Sequence, residues 1–233
     1  MNIERTNLKY ICVIGILLFL FASPASADPD AILDRSRTQF ADIDANTINY
    51  IHARFDEVDQ DLLLIPDITS VTDYVSGSSS DSAFVANINA LDDTTNVNVV
   101  VIHTHGGTNE TLSASYLQFK DSSWLSDSNV NNWMDGRNGG FMFAGACKSA
   151  KYTDLGNEFI DKGFDTYFGY KDTVLTKRNA RFYAAFFDLA TFTNVKVSEA
   201  ARYAEDEVED EFGSADDVGN NRFIGNSDLC LRT

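Results

Sequence analysis

The sequence predicts an α/β protein, a three-layer α/β/α sandwich around a mostly parallel central sheet, on three observations. Val99, Val100, Val101 and Ile102 run together as a β-branched apolar block, the pattern of a parallel strand covered on both faces. A second apolar block, Gly140 to Phe143, leads into a short amphipathic stretch with Leu155, Phe159 and Ile160, and a third block follows at Thr166 to Gly169. Strand, helix and strand in succession imply a right-handed parallel crossover.

Taken in order, the chain opens with Arg5 and Lys9, an apolar run from Tyr10 to Ala22, Pro24, and the small-residue tripeptide Ala25, Ser26, Ala27. That order is what a secretory signal needs, so residues 1–27 are expected to be removed and the mature chain to begin at Asp28. A retained anchor is the competing reading, but the run is shorter than the roughly 18 to 20 residues of a spanning helix. The location expected is secreted or extracytoplasmic, with no stable membrane span after cleavage. Residues 28–233 suffice for one domain with a full core.

The formal net charge is −17, and removing Glu4, Arg5 and Lys9 takes it to −18. Such a surface repels nucleic acid and anionic membranes, so neither is an expected partner. It is also the composition of proteins that stay soluble in high salt, where screening relieves carboxylate repulsion. Of the three cysteines, Cys147 and Cys230 lie beyond the signal. In an exported protein two cysteines suggest one disulfide, and the count alone does not decide between a bridge and a reactive thiol.

Residues 28–61 carry Ile32, Leu33, Phe40, Ile43, Ile48, Ile51, Phe55 and Val58 at mostly three- and four-residue spacings, which predicts a helical N-terminal segment covering one face of the sheet. Leu62 to Ile65, closed by Pro66, is expected as a first strand, and Ser76 to Ser82 as a flexible loop. Ser115 to Lys120 alternates like a hairpin arm, and Trp124 to Asp135 is polar. Phe182, Phe186 and Leu189 mark one late helix, and Val197, Ala201, Ala204, Val208 and Phe212 another. The acidic run Glu205 to Asp217 offers carboxylates for a structural calcium ion, but it lacks the spacing of a calcium loop and reads better as a solvated helix face.

Two strand ends carry chemistry. The block 99–102 ends in His103, Thr104, His105, Gly106 and Gly107, and the block 140–143 leads to Cys147. In open parallel sheets reactive groups collect at the carboxyl ends of the strands. A thiol needs a base or a positive charge nearby to act as a nucleophile, and an imidazole provides both. Backbone N–H groups of Gly106 and Cys147 are candidates to hold the oxyanion of an acyl-transfer intermediate.

The segments Val-Val-Val-Ile-His-Thr-His-Gly (99–106) and Gly-Phe-Met-Phe-Ala-Gly-Ala-Cys (140–147) resemble the two catalytic blocks of the caspase-like cysteine peptidases, nearest to gingipain-like and related bacterial and archaeal members. The likeness covers roughly residues 95–231. It includes a tail with Gly225, Asp228 and Leu229 that is similar to a gingipain-type Gly-Asp-Pro-x-Leu ending without its proline. The resemblance implies a caspase-like fold, a protein or peptide substrate, Cys147 as nucleophile and His105 as general base and acid. His103 is the rival base: alternation along the strand puts 103 and 105 on one face, and only the glycine that follows His105 separates them. His52 is expected to be structural. Asp154 and Asp172 are guesses for a pocket that attracts a basic side chain, and the N-terminal third is poorly matched. The alternative in a different class is an inactive interaction or structural domain in which Cys147 is bridged to Cys230.

Other chemistries are poorly supported. The sequence has no Gly-x-Ser-x-Gly elbow and no phosphate-binding glycine loop. His103 and His105 lack a third ligand at a recognisable metal-site spacing, so no cofactor or catalytic metal is expected.

Overall fold

The structure, a computed structural model, describes residues 28–94 and 97–233; the segment read as a signal, residues 1–27, lies outside them. The central sheet has six strands in the order β2-β1-β3-β7-β8-β9, where β1 is Ala31–Asp34, β2 Val71–Tyr74, β3 Val99–His103, β7 Phe141–Gly145, β8 Thr166–Tyr170 and β9 Asn221–Gly225. All neighbours run parallel except β9, which is antiparallel to β8. A small antiparallel sheet holds β4 (His105–Asn109), β5 (Ala114–Gln118) and β6 (Trp124–Leu125), in that order.

Alternation along the central strands divides the apolar side chains between two cores. Leu33, Val99, Val101, Phe141, Phe143 and Phe168 face one side, where α1 (Ala45–Leu62), α5 (Thr176–Ala190) and α6 (Val197–Phe212) cover them. Ile32, Val100, Ile102, Met142, Ala144 and Tyr167 face the other, under α2 (Asp81–Asn89), α3 (Asp127–Trp133) and α4 (Asp154–Asp161). The predicted three-layer sandwich with a mostly parallel sheet is thus what forms. Phe143 is at the centre of the first core, stacked on Phe168 at 4.5 Å between ring centroids, with Phe182, Phe186 and Phe187 around it.

The N-terminal third departs from expectation. Ile32 and Leu33 belong to a buried strand, because β1 lies between β2 and β3 and needs an apolar side chain on each face. The helical reading holds for a short 3-10 turn at Ser36–Gln39 and for α1, whose Asp44 accepts the Thr47 N–H at 2.7 Å as an N-cap. Leu62 to Ile65 is no strand: Leu62 ends α1, the Ile65 N–H donates back to the Leu62 carbonyl, and Leu63 and Leu64 are exposed. The buried pair Leu62 and Ile65 has the spacing of a helical turn. The expected loop at 76–82 gives way at Ser80, which caps α2 by accepting the Ala83 N–H. The acidic run lies as expected, with Asp206, Glu209, Asp210 and Glu211 on the exposed side of α6 and Ala204 and Val208 buried beneath.

Candidate active site

Chain direction across the sheet reverses between β1 and β3: the chain steps from β1 outward to β2, then returns to the other side of β1. At such a switch point the connections diverge and leave a crevice beyond the carboxyl ends of the strands. A cavity of about 190 Å³ occupies this crevice, lined by Arg37, His103, His105, Gly145, Cys147 and the segment Val174 to Thr176. The ends of β1, β3, β7 and β8 thus each contribute, and His105 and Cys147 open on one cavity.

Several bonds hold Cys147 just beyond β7. Asn179 of α5 donates to the Gly145 carbonyl at 3.1 Å and accepts the Tyr170 hydroxyl at 2.9 Å, and the Ser149 hydroxyl donates to the Ala144 carbonyl at 2.8 Å. Lys148, with φ of +58°, turns the chain sharply after the cysteine. The Cys147 sulfur accepts the Val174 N–H at 3.4 Å and sits before the first turn of α5.

Thr104 separates the two histidines. The chain leaves the central sheet at His103, the Thr104 hydroxyl donates to the Gln118 carbonyl, and His105 begins β4 in the second sheet. The shared-face argument therefore fails, because it requires an unbroken strand. His103 is buried, edge-on to Tyr183 at 5.7 Å, and burial first, then Arg37 and His105, pushes its imidazole down to about 3. It is neutral across the ordinary range of pH, and its Nδ1 has no hydrogen-bond partner.

His105 is half-buried. Its Nε2 meets the Asp42 carboxylate at 3.3 and 3.4 Å, and Phe40 packs edge-on against its ring at 4.5 Å. Nδ1 remains the ring nitrogen not engaged by the carboxylate. Asp42 is itself gripped by Arg37 through two bonds of 2.6 and 2.9 Å, and this guanidinium holds its carboxyl at about 2. Burial lowers His105, Arg37 lowers it further, and Asp42 opposes both. The net shift is downward, which keeps the imidazole neutral at pH 7 and able to accept a proton.

Gly106 brings the strand of His105 against the cysteine: a Cβ there would lie 2.3 Å from the Cys147 carbonyl oxygen. In β5 the Ser115 N–H goes to Asp154 and the Phe119 N–H to the Ser123 carbonyl, so odd-numbered residues of this strand point away from β4. By antiparallel alternation the backbone groups of Gly106 and Thr108 point away from β5, toward the open edge of β4.

Arg37 and Asp42 escaped the sequence reading. The signal is present in Asp34-Arg35-Ser36-Arg37, charges directly after an apolar triplet, but the three- and four-residue spacing of apolar residues over 28–61 hides it by favouring a helix. The fully buried Asp34 carboxylate accepts from Ser36 and Ser78 and so fixes the turn that presents Arg37. His52 is structural as expected, its Nδ1 at 3.0 Å from Arg35. Asp154 is occupied by the Ser115 N–H, and neither it nor Asp172 lines the cavity; the charge that does is a cation, Arg37.

Both cysteines are free, so the disulfide suggested by their count is not formed. Cys230 pairs with Lys196 ahead of α6 and follows β9, whose Gly225 lies beside Thr166 at the amino end of β8. Cys147 lies beyond the opposite edge. The four steps of β7 from Phe141 to Gly145 advance roughly 13 Å at about 3.3 Å each, against the roughly 7 Å limit between bridged Cα atoms. Among the described residues no three His, Cys, Asp or Glu side chains group as a metal site, and no helix is long and apolar enough to cross a membrane.

Asp42→Asn separates orientation from charge. Losing the carboxylate removes the influence that raises His105 and leaves burial and Arg37, which lower it. The His105 ring titration, followed by NMR, is expected to move to lower pH. An unmoved titration would show that Asp42 does not act on the imidazole.

Fold and site together define a parallel α/β protein with a thiol and an imidazole on one cavity at the switch point of its sheet. The chain belongs to the same family as an uncharacterized protein of Archaeoglobus fulgidus, to which it is 48% identical over 186 residues, 79% of this chain and 95% of that protein. No family model matches the chain.

Proposed function

We propose that the protein is an exported cysteine endopeptidase of the caspase-like superfamily, working through Cys147 and His105. The observation that carries the reading is the shared cavity, with Cys147 and His105 on its wall, Asp42 held to the imidazole and Gly106 packed on the cysteine. His105 takes the thiol proton as the sulfur attacks the scissile carbonyl. The oxyanion is held by the N–H groups of Gly106 and Cys147, and the imidazolium returns its proton to the departing amine. Water, deprotonated by the same imidazole, then releases the acyl group from the sulfur. Asp42 fixes the ring and supports its charged form, and Arg37 fixes Asp42. The substrate is a protein or peptide, and no cofactor enters the scheme.

Incubation with denatured casein is expected to yield fragments, and iodoacetamide to stop their formation with one adduct, on Cys147. Continued hydrolysis after full alkylation of Cys147 would rule the mechanism out. Export is tested separately: mass spectrometry of the extracytoplasmic fraction should find Asp28 as the first residue, and an intact Met1 there would contradict it.

A further inference from the structure

We infer that the open edge of β4 and the Tyr116–Trp124 groove beside it bind the part of a peptide substrate C-terminal to the scissile bond, with an aromatic or large aliphatic side chain in the groove. The inference rests on the peptidase reading of the Cys147 site.

Three observations support it. β4 is an edge strand, and the backbone groups of Gly106 and Thr108 face its open side. An unpaired row of this kind is a template for an added strand. Secondly, one face of this small sheet is apolar and exposed. Leu117 and Leu125 point into the core, whereas Trp124, 43% exposed, lies over Gly107 so closely that a Cβ there would be 3.1 Å from the indole. Tyr116 meets Trp124 edge-on at 6.2 Å, and together with Thr108 and Asn109 they line a groove of about 340 Å³. An indole left nearly half in water is a docking surface with a flat apolar face and an N–H at its rim.

Thirdly, the strand is continuous with the dyad. His105 is its first residue, and the imidazole must reach the departing nitrogen to return the proton. The chain on that nitrogen therefore leaves past His105, and β4 runs from there to Asn109, beside the groove. A strand added to this edge projects alternate side chains to the Trp124 face.

The test uses denatured β-casein with the exported protein and its variants. Titration into Cys147→Ala, which cannot turn casein over, should change tryptophan emission, and Trp124→Ala in that background should abolish the change while Trp133, the other tryptophan, still reports a folded protein. Thr108→Pro removes one N–H on the open edge without touching a bond to β5, and should weaken the titration about tenfold or more. In the active protein, mapped cleavage sites should be enriched in aromatic or large aliphatic residues within three positions after the cut, with the enrichment lost in Trp124→Ala. An unchanged titration together with an unchanged cleavage pattern in Trp124→Ala would overturn the inference and leave the peptidase reading standing. Casein that binds through Trp124 but is never cut by the parent protein would keep the docking surface and remove the peptidase. Casein that neither binds nor is cut overturns the inference.

Discussion

Cys147→Ala is expected to abolish casein hydrolysis, and His105→Ala to lower kcat/KM by about 10² to 10⁴, the range for loss of a general acid–base group. The two losses should not add in the double variant, since nucleophile and base act as one unit. His103→Ala is expected to behave differently. Its imidazole is buried and held neutral, with the titration pushed down to about 3, so it does not exchange protons at working pH. Its removal opens a hole beside Tyr183, and the cost should appear as a lower melting temperature with kcat/KM of the folded fraction little changed. Iodoacetamide labelling separates the roles further: Cys147 should react fast in the parent and in His103→Ala, and slowly in His105→Ala. Greater damage to kcat/KM from His103→Ala would transfer the base to that residue.

Phe143→Ala is expected to have the largest effect on stability. The ring is fully buried in β7, stacked on Phe168 and enclosed by Phe182, Phe186 and Phe187 from α5. Truncating a buried aromatic costs about 3 to 5 kcal/mol through lost transfer free energy and an unfilled cavity. In a domain of this size that corresponds to a fall in melting temperature of roughly 10 °C. Phe143 and Cys147 are on the same segment, so thiol labelling should also become less selective as that segment loosens. A urea denaturation curve displaced by less than about 1 kcal/mol would show that the cluster repacks around the gap.

These expectations rest on parts of the molecule that were unequally legible. The sequence determined by itself the sheet centre and the late helices. In β3, β7 and β8 every side chain is buried on one face or the other, and such strands are written as continuous apolar runs. It also placed His105 and Cys147 at strand ends, because the glycines and small residues that follow or precede them interrupt those runs. The two four-residue strands β1 and β2 were not legible: four residues are too few to show a period, and Ile32 and Leu33 fit a helical spacing by chance.

Only the tertiary structure decided which histidine meets a carboxylate, because His105 and Asp42 are 63 residues apart and β1 must first be set beside β3. It likewise decided the state of the cysteines. Two thiols in one chain invite pairing, but β9 runs antiparallel at the sheet edge and leaves Cys230 at the end opposite to Cys147. Local composition records what each segment buries, whereas pairing across the sheet depends on strand order and direction, which no single segment contains.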